Sequence, residues 1–322
     1  MFFYGFLNIK NLHFRATLVP LPIMSMIISY TKCPGCNSNN IYKVLTVTDF
    51  TVSQERFDIY ECGNCTLRFT QNVPAEEHIG EYYRSSGYIS HSDTNKGLIN
   101  KLYHLVRNKT LQRKKKLIEQ QTGLKKGYLL DVGAGTGAFI NVMKQSGWDA
   151  VGLEPDSLAR TNAQQLHQLT LLTPDKLFSF SAKQFDAITL WHVLEHVHDL
   201  HNYIQTFYNI LKPNGILVIA VPNYTAHDAV AYKEYWAAYD VPRHLYHFSP
   251  QSMEALAKQH GFKVCEYVPM KYDSYYVSML SEQYLNGRNN YTAAFLNGKR
   301  SNRKTKGDAR KYSSVIYILK KK

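Results

Sequence analysis

No run of about 20 consecutive apolar residues, the length a spanning helix requires, occurs in this sequence of 322 residues. The first 30 positions are apolar but irregular. Lys10 and Arg15 interrupt them, and Pro20 and Pro22 break the one apolar stretch. A charged start followed by a small-residue cleavage site is not evident either. Residues 1–29 are therefore expected to form an extension without a fold of its own, and no membrane span is expected. Cysteine is scarce: five residues in a chain of this size exclude a dense disulfide framework and suit a reducing cytoplasm. No repeat of 20–50 residues is visible, which excludes solenoids and propellers.

Acids are nearly missing from two segments. Residues 101–126 hold nine Lys/Arg and one acid, Glu119; residues 288–322 hold eleven and one, Asp308. The whole chain carries +13, so the remainder nets −5. Such segments read either as solvated basic surface or as attraction for a polyanion or a phosphate-bearing partner.

What is present is regular. Short apolar runs at 127–132, 148–153, 185–190 and 215–221 alternate with helical spacing at 137–145, 156–167 and 199–212. This order predicts an α/β fold: a doubly wound, mostly parallel sheet covered on both faces. A helix over 250–260 ended by Gly261 follows, then apolar runs at 262–268 and 313–319. The intervening 272–310 is polar, aromatic and then basic, and reads as an insertion or lid. The expected domains are a small cysteine-anchored module over 30–75, a helical linker or lid over 76–124, and a main domain over 125–322.

In the stretch Leu129-Leu-Asp-Val-Gly133-Ala-Gly135-Thr-Gly137 a strand ends, glycines turn the chain and a helix begins. Such a turn offers close backbone approach and unpaired N–H groups to a ligand. It also satisfies the dinucleotide fingerprint, with Glu154 placed to grip ribose hydroxyls in either case. Asp131 argues against a diphosphate, which it would repel, and for a ligand bearing an amino group. Phe185-Asp-Ala-Ile-Thr-Leu-Trp-His-Val-Leu-Glu-His196 and Leu211-Lys-Pro-Asn-Gly215 through Asn223 complete the series.

Together these blocks, over about residues 125–222, resemble class I S-adenosylmethionine-dependent methyltransferases, whose domain is Rossmann-like. The resemblance implies that Asp131, Gly133, Ala134, Gly135 and Gly137 hold the methionine part of the cofactor and Glu154 its ribose. It implies that Leu190, Trp191 and His192 border the cofactor, with Asp175 the candidate for the adenine-binding acid.

Cys33-Pro-Gly-Cys36 and Cys62-Gly-Asn-Cys65 are two knuckles of a closed four-sulfur site. Four thiolates leave no open position, so the zinc expected there is structural, and it would fold a module too small to hold itself together. Its removal is expected to unfold residues 30–75 and to leave cofactor binding largely intact. The lone Cys265 is expected to be a small buried apolar residue.

Acceptor-side candidates are His192 as a base, and Arg243, His244 and His247 as groups that hold a phosphate, carboxylate or sugar. A turn leading into the Pro250 helix accounts for the second cluster equally well. His192, Glu195 and His196 are similar to the Glu-x-x-Glu-His arrangement that binds a divalent ion in ubiquinone-type O-methyltransferases. Helix capping and packing is the plainer role. Tyr88, Ser90 and His91 are candidates to cover the pocket. The architecture is similar to bacterial enzymes that methylate nucleotide-linked sugars, which implies a small saccharide or envelope-related acceptor, methylated at oxygen. An RNA acceptor is the rival, suited by the basic segments but lacking an Asn-Pro-Pro-Tyr-type motif. A dehydrogenase and a non-catalytic binding protein are more distant ones.

Overall fold

A computed structural model describes residues 26–84 and 98–322, without the side chains of 98–106. The extension expected over residues 1–25 and the pocket cover expected at Tyr88, Ser90 and His91 lie outside the described residues.

The cysteine pairs sit at the ends of short strands. β1 (Ile27–Ile28) precedes the first pair, and β2 (Ile41–Thr48) and β3 (Arg56–Cys62) form a hairpin into the second. β4 (Arg68–Thr70) adds antiparallel to β3, and β5 (Val73–Pro74) pairs back with β1. The last residues of the expected extension are thus strand.

The main domain begins with α1 (Leu98–Thr122), then β6 (Tyr128–Val132), α2 (Ala138–Gln145), β7 (Asp149–Leu153) and α3 (Ser157–His167). It continues with β8 (Phe185–Trp191), α4 (Leu200–Ile210), β9 (Leu211–Pro222), α5 (His227–Tyr232) and β10 (Tyr246–His247). α6 (Pro250–Gln259), β11 (Phe262–Pro269), α7 (Asp273–Asn286), α8 (Tyr291–Lys304) and β12 (Ser314–Lys321) complete it.

Six strands form one sheet in the order β11-β12-β9-β8-β6-β7. β7, β6, β8 and β9 are parallel, and β12 is antiparallel to both of its neighbours. Beyond β7 a single parallel bridge, Leu153 to Leu172, is all that forms of a further strand. The chain leaves β6 to one side for β7 and returns on the other side as β8. That reversal opens a crevice at the carboxyl ends of β6 and β8.

The period of two sorts each strand's side chains by face. Leu130, Ile188, Leu190, Leu217 and Ile219 pack with Ile204 and Phe207 of α4 and with Leu256 of α6. Leu129, Ala187, Ile216, Val218 and Ile318 pack with Phe139 and Met143 of α2 and Ile118 of α1. The ribbon shares the first of these cores through Cys62, Cys65, Leu67 and Phe69. It builds another from Val47, Phe57 and Ile59 against Tyr232, Trp236 and Tyr239. β10, far along the chain, adds to the ribbon sheet beside β4. The segment 272–310, read from sequence as an insertion or lid, is largely the pair α7 and α8. Cys265 is exposed rather than buried, a correction that follows from its outward position on the edge strand β11.

Candidate functional site

The glycine turn sits at the crevice. Gly133, Gly135 and Gly137 have φ of 72°, 55° and 76°, a region that L side chains rarely adopt. A Cβ on Gly133 would also lie 2.3 Å from Val193 Cγ2, whereas one on Gly135 would meet nothing within 4 Å. Gly135 N–H donates to Glu154 Oε2 at 2.7 Å, and Asp156 N–H donates to Oε1 at 3.0 Å. The buried Glu154 is thereby held beside the turn from the end of β7.

Asp131, near the end of β6, is buried and accepts a hydrogen bond from the Thr189 hydroxyl at 2.6 Å. Burial pushes its carboxyl up to about 7, with Thr189 and Lys114 pulling the other way. Lys114 comes from α1. Its Nζ lies 4.2 Å above the Trp191 ring, and burial lowers its ammonium to about 8 against the opposing pull of Asp131 and Asp273. Trp191 faces α1 and α2, edge-on to Phe139 at 5.8 Å. Leu190 points to the opposite face and is fully buried in the core with α4, so its side chain does not line the turn.

His192 has φ 58°, a left-handed conformation, with its N–H donating to Ala220 O at 2.9 Å. Its ring reaches Asp273 Oδ2 with Nε2 at 3.0 Å and Glu195 Oε1 with Nδ1 at 3.4 Å. Burial disfavours the charged ring, but the two carboxylates outweigh it and raise the pKa to about 10. The two carboxylates hold the ring in its charged form, which suits His192 poorly to the base role expected from sequence.

Arg243 is also not a free binding group. Its guanidinium, 1% exposed, donates to Asp240, to Asp49 Oδ1 at 3.0 Å and to Tyr82 O at 2.7 Å. It bolts the ribbon to the loop after α5. His247 is buried in β10, its Nε2 3.1 Å from the Thr70 hydroxyl, and burial keeps it neutral far below its usual pKa. Both side chains serve the junction between the two parts. Asp175 opens a short 3-10 turn after the Leu172 bridge, exposed and paired with Lys176 at 3.3 Å.

His244 differs from them. Its Nδ1 lies 2.9 Å from Ala238 O, and Nδ1 of His196 lies 3.1 Å from Arg243 O and 2.9 Å from the Tyr83 hydroxyl. A carbonyl only accepts, so Nδ1 carries a proton on each ring; Nε2 of His244 lies 3.9 Å from Asp240 Oδ2. Glu195, fully buried, is approached by His192 Nδ1 at 3.4 Å on Oε1, and its carboxylate makes no other hydrogen bond among the described residues. Glu195, His196 and His244 each offer a ligand atom, and these atoms lie within 4.8 Å of one another. Burial and His244 push His196 down to about 4, so it is neutral.

The four cysteine sulfurs also lie within 4.8 Å of one another, at 3.6 Å for Cys33–Cys65 and 3.5 Å for Cys36–Cys62. The N–H groups of Gly35 and Asn64 donate to Cys33 Sγ and Cys62 Sγ.

Lys114, Asp273 and the grouping of His244 with Glu195 and His196 escaped the sequence reading. Lys114 left a signal. Leu111, Lys114 and Ile118 share one helical face, and a lysine among inward apolar residues is out of place.

A family model described as a methyltransferase domain matches residues 103–267. The chain is 33% identical over 118 residues to a ubiquinone biosynthesis O-methyltransferase of Histophilus somni (strain 2336), covering 33% of this chain and 50% of that protein. It is 28% identical over 166 residues to the mitochondrial ubiquinone biosynthesis O-methyltransferase of Homo sapiens, covering 46% and 44%. The chain spans about half the length of the curated relatives it matches. Magnesium protoporphyrin IX methyltransferase from Synechocystis PCC 6803, solved with bound SAH, superposes with a TM-score of 0.50 at 15% identity, covering 77% of this chain and 100% of that one. At that identity the likeness bears on the fold alone.

Proposed function

Because the chain belongs to the methyltransferase-domain family, we propose that it transfers the methyl group of S-adenosylmethionine to an oxygen of a small-molecule acceptor. One arrangement carries the reading: the Asp131 carboxylate near the end of β6 and the Lys114 ammonium over Trp191, at the end of the neighbouring strand β8, lie at the carboxyl ends of paired strands beside the glycine turn. The methionine end of the donor is a zwitterion, and Asp131 suits its ammonium as Lys114 suits its carboxylate. A diphosphate would instead meet the charge of Asp131. The open space at Gly135 suits a closely approaching ligand, and Glu154 suits the ribose hydroxyls. When bound, the cofactor supplies an electrophilic methyl on a sulfonium. The residues here bind it, orient it and exclude water. Calorimetry with S-adenosylhomocysteine and with NAD tests the reading. Uptake of the former is expected, weakened more than about tenfold by Glu154→Ala. Uptake of NAD in its place would refute it.

Cys33, Cys36, Cys62 and Cys65 fit a structural zinc. A tetrahedral site with zinc–sulfur bonds of about 2.3 Å needs sulfurs about 3.8 Å apart, close to the separations found. The N–H groups aimed at two sulfurs are the outer support such sites use. Glu195, His196 and His244 fit a divalent cation: two imidazoles whose Nδ1 atoms face carbonyls and one buried carboxylate. A cation there would lower the pKa of a coordinated acceptor hydroxyl. Metal analysis after dialysis against excess Mn²⁺ separates the sites. Zinc should follow the cysteines, and bound manganese should vanish in His244→Ala while zinc stays. Manganese retained in that variant would remove His244 from the proposal.

The acceptor we favour is a hydroxyl-bearing saccharide or envelope-related metabolite. The names of the curated relatives support oxygen as the atom methylated. The charged pair His192–Asp273, beside the turn, suits hydroxyl groups better than an apolar ring.

A further inference from the structure

The helical pair α7 and α8 exposes large apolar side chains on its outer face. Leu285, Tyr291, Phe295 and Leu296 are 47%, 64%, 56% and 58% exposed. The inner face of α8 is Ala294, Gly298 and Ser301, packed so close to α7 that a Cβ on Gly298 would lie 2.9 Å from the Tyr275 backbone. Outward, the helical spacing makes two adjacent rows: Phe295, Lys299, Arg303 and Leu296, Arg300. Each row starts with an apolar side chain and continues with cations. From Arg288 to Lys306 there are six Lys/Arg and no acid.

We propose that this hairpin docks on an anionic lipid bilayer, with the four apolar side chains at the headgroup–acyl boundary and the cations among lipid phosphates. Charge complementarity selects that occupant. A second copy of the same face would set six cations against six. A nucleic acid would satisfy the cations and leave the aliphatic Leu285 and Leu296 in water. No helix among the described residues is long and apolar enough to cross a membrane, so the contact lies in the interface plane. Asp273, the first residue of α7, holds His192 at 3.0 Å, so the hairpin is joined directly to the acceptor side of the site. The acceptor class this implies, a lipid-linked or amphiphilic hydroxyl compound, rests on the methyltransferase reading. The docking does not.

Vesicle flotation of the full, zinc-loaded chain tests it without any measurement of activity. Vesicles of phosphatidylcholine mixed with phosphatidylglycerol should carry the protein at low salt, vesicles of phosphatidylcholine alone should not, and added salt should release it. The double variants Phe295→Ser/Leu296→Ser and Lys299→Glu/Arg303→Glu should each lower the bound fraction about tenfold. Each should bind S-adenosylhomocysteine as the unaltered chain does, which certifies the fold. Failure to float, or flotation unchanged by the apolar double variant, would overturn the proposal. So would a structured RNA that binds, and is lost in the charge-reversal variant, while vesicles do not bind. Loss of S-adenosylhomocysteine binding in the unaltered chain would sink the methyltransferase reading and leave the docking result standing.

Discussion

The two sides of the crevice are built on opposite principles. On the cofactor side, Asp131, Gly133, Gly135 and Glu154 come from strand ends and one turn within 24 consecutive residues, and their polar groups face the turn. On the acceptor side, Arg243, His244 and His247 lie within five consecutive residues, yet two of the three are engaged by Asp49 and Thr70 of the ribbon and by Tyr82 just after it. Closeness in sequence marks shared work on the first side and divided work on the second. The lesson is that a polar cluster means a ligand site only when the rest of the fold leaves it unspent.

The sharpest way to break this contrast is Arg243→Ala. Removing one partner of a buried ion pair leaves Asp49 and Asp240 uncompensated, so unfolding in urea should show a loss of about 3–5 kcal/mol. Affinity for S-adenosylhomocysteine, measured under conditions where the variant is folded, should change little. Unaltered stability with lost affinity would mean Arg243 belongs to the cofactor side. Next in size is Cys62→Ser. The ribbon shares a core with the sheet, so thermal melting should shift as one transition for the whole chain. A separate early transition would restore the independent module expected from sequence.

Lys114→Ala sharpens the other side. It should weaken S-adenosylhomocysteine by about tenfold in calorimetry. Stability should hold or rise, because a half-buried ammonium no longer has to be accommodated. Equal binding would leave the zwitterion argument without its cation. The smallest effect is a pH dependence. The pKa of His192 is raised in the folded chain, so the stability it contributes is full below its ordinary 6.5 and is lost as pH rises through about 10. Asp273→Asn should flatten that decline in stability measured from pH 6.5 to 10. A decline of the same slope would assign it to other groups.

Much of the fold was legible because its periods are strong. β6, β7, β8 and β11 fall within one residue of the runs read from sequence, and Gly133 to Gly137 turn where the glycines promised. The third strand was not legible because it barely exists: Leu172 makes one bridge, too little to impose a pattern. Lys114 was hidden by charge density, one lysine in the run Arg113 to Lys116 whose inward aim only the neighbouring Leu111 and Ile118 disclose. The roles of Arg243 and His247 were out of reach for another reason. Apart from Asp240, their partners named above lie more than 150 positions away, and no local spacing encodes a contact of that span.

That span bears on how the chain is made. The ribbon leaves the ribosome early, but β10, the strand that completes its sheet, arrives late: Thr70 waits for His247, 177 positions on. Until then Phe69 and the edge of β4 lack their cover, and pairing across so long a loop is slow. The nascent amino-terminal part therefore spends most of translation as an open sheet edge. It is the stage at which chaperone engagement or misassembly has its longest opportunity.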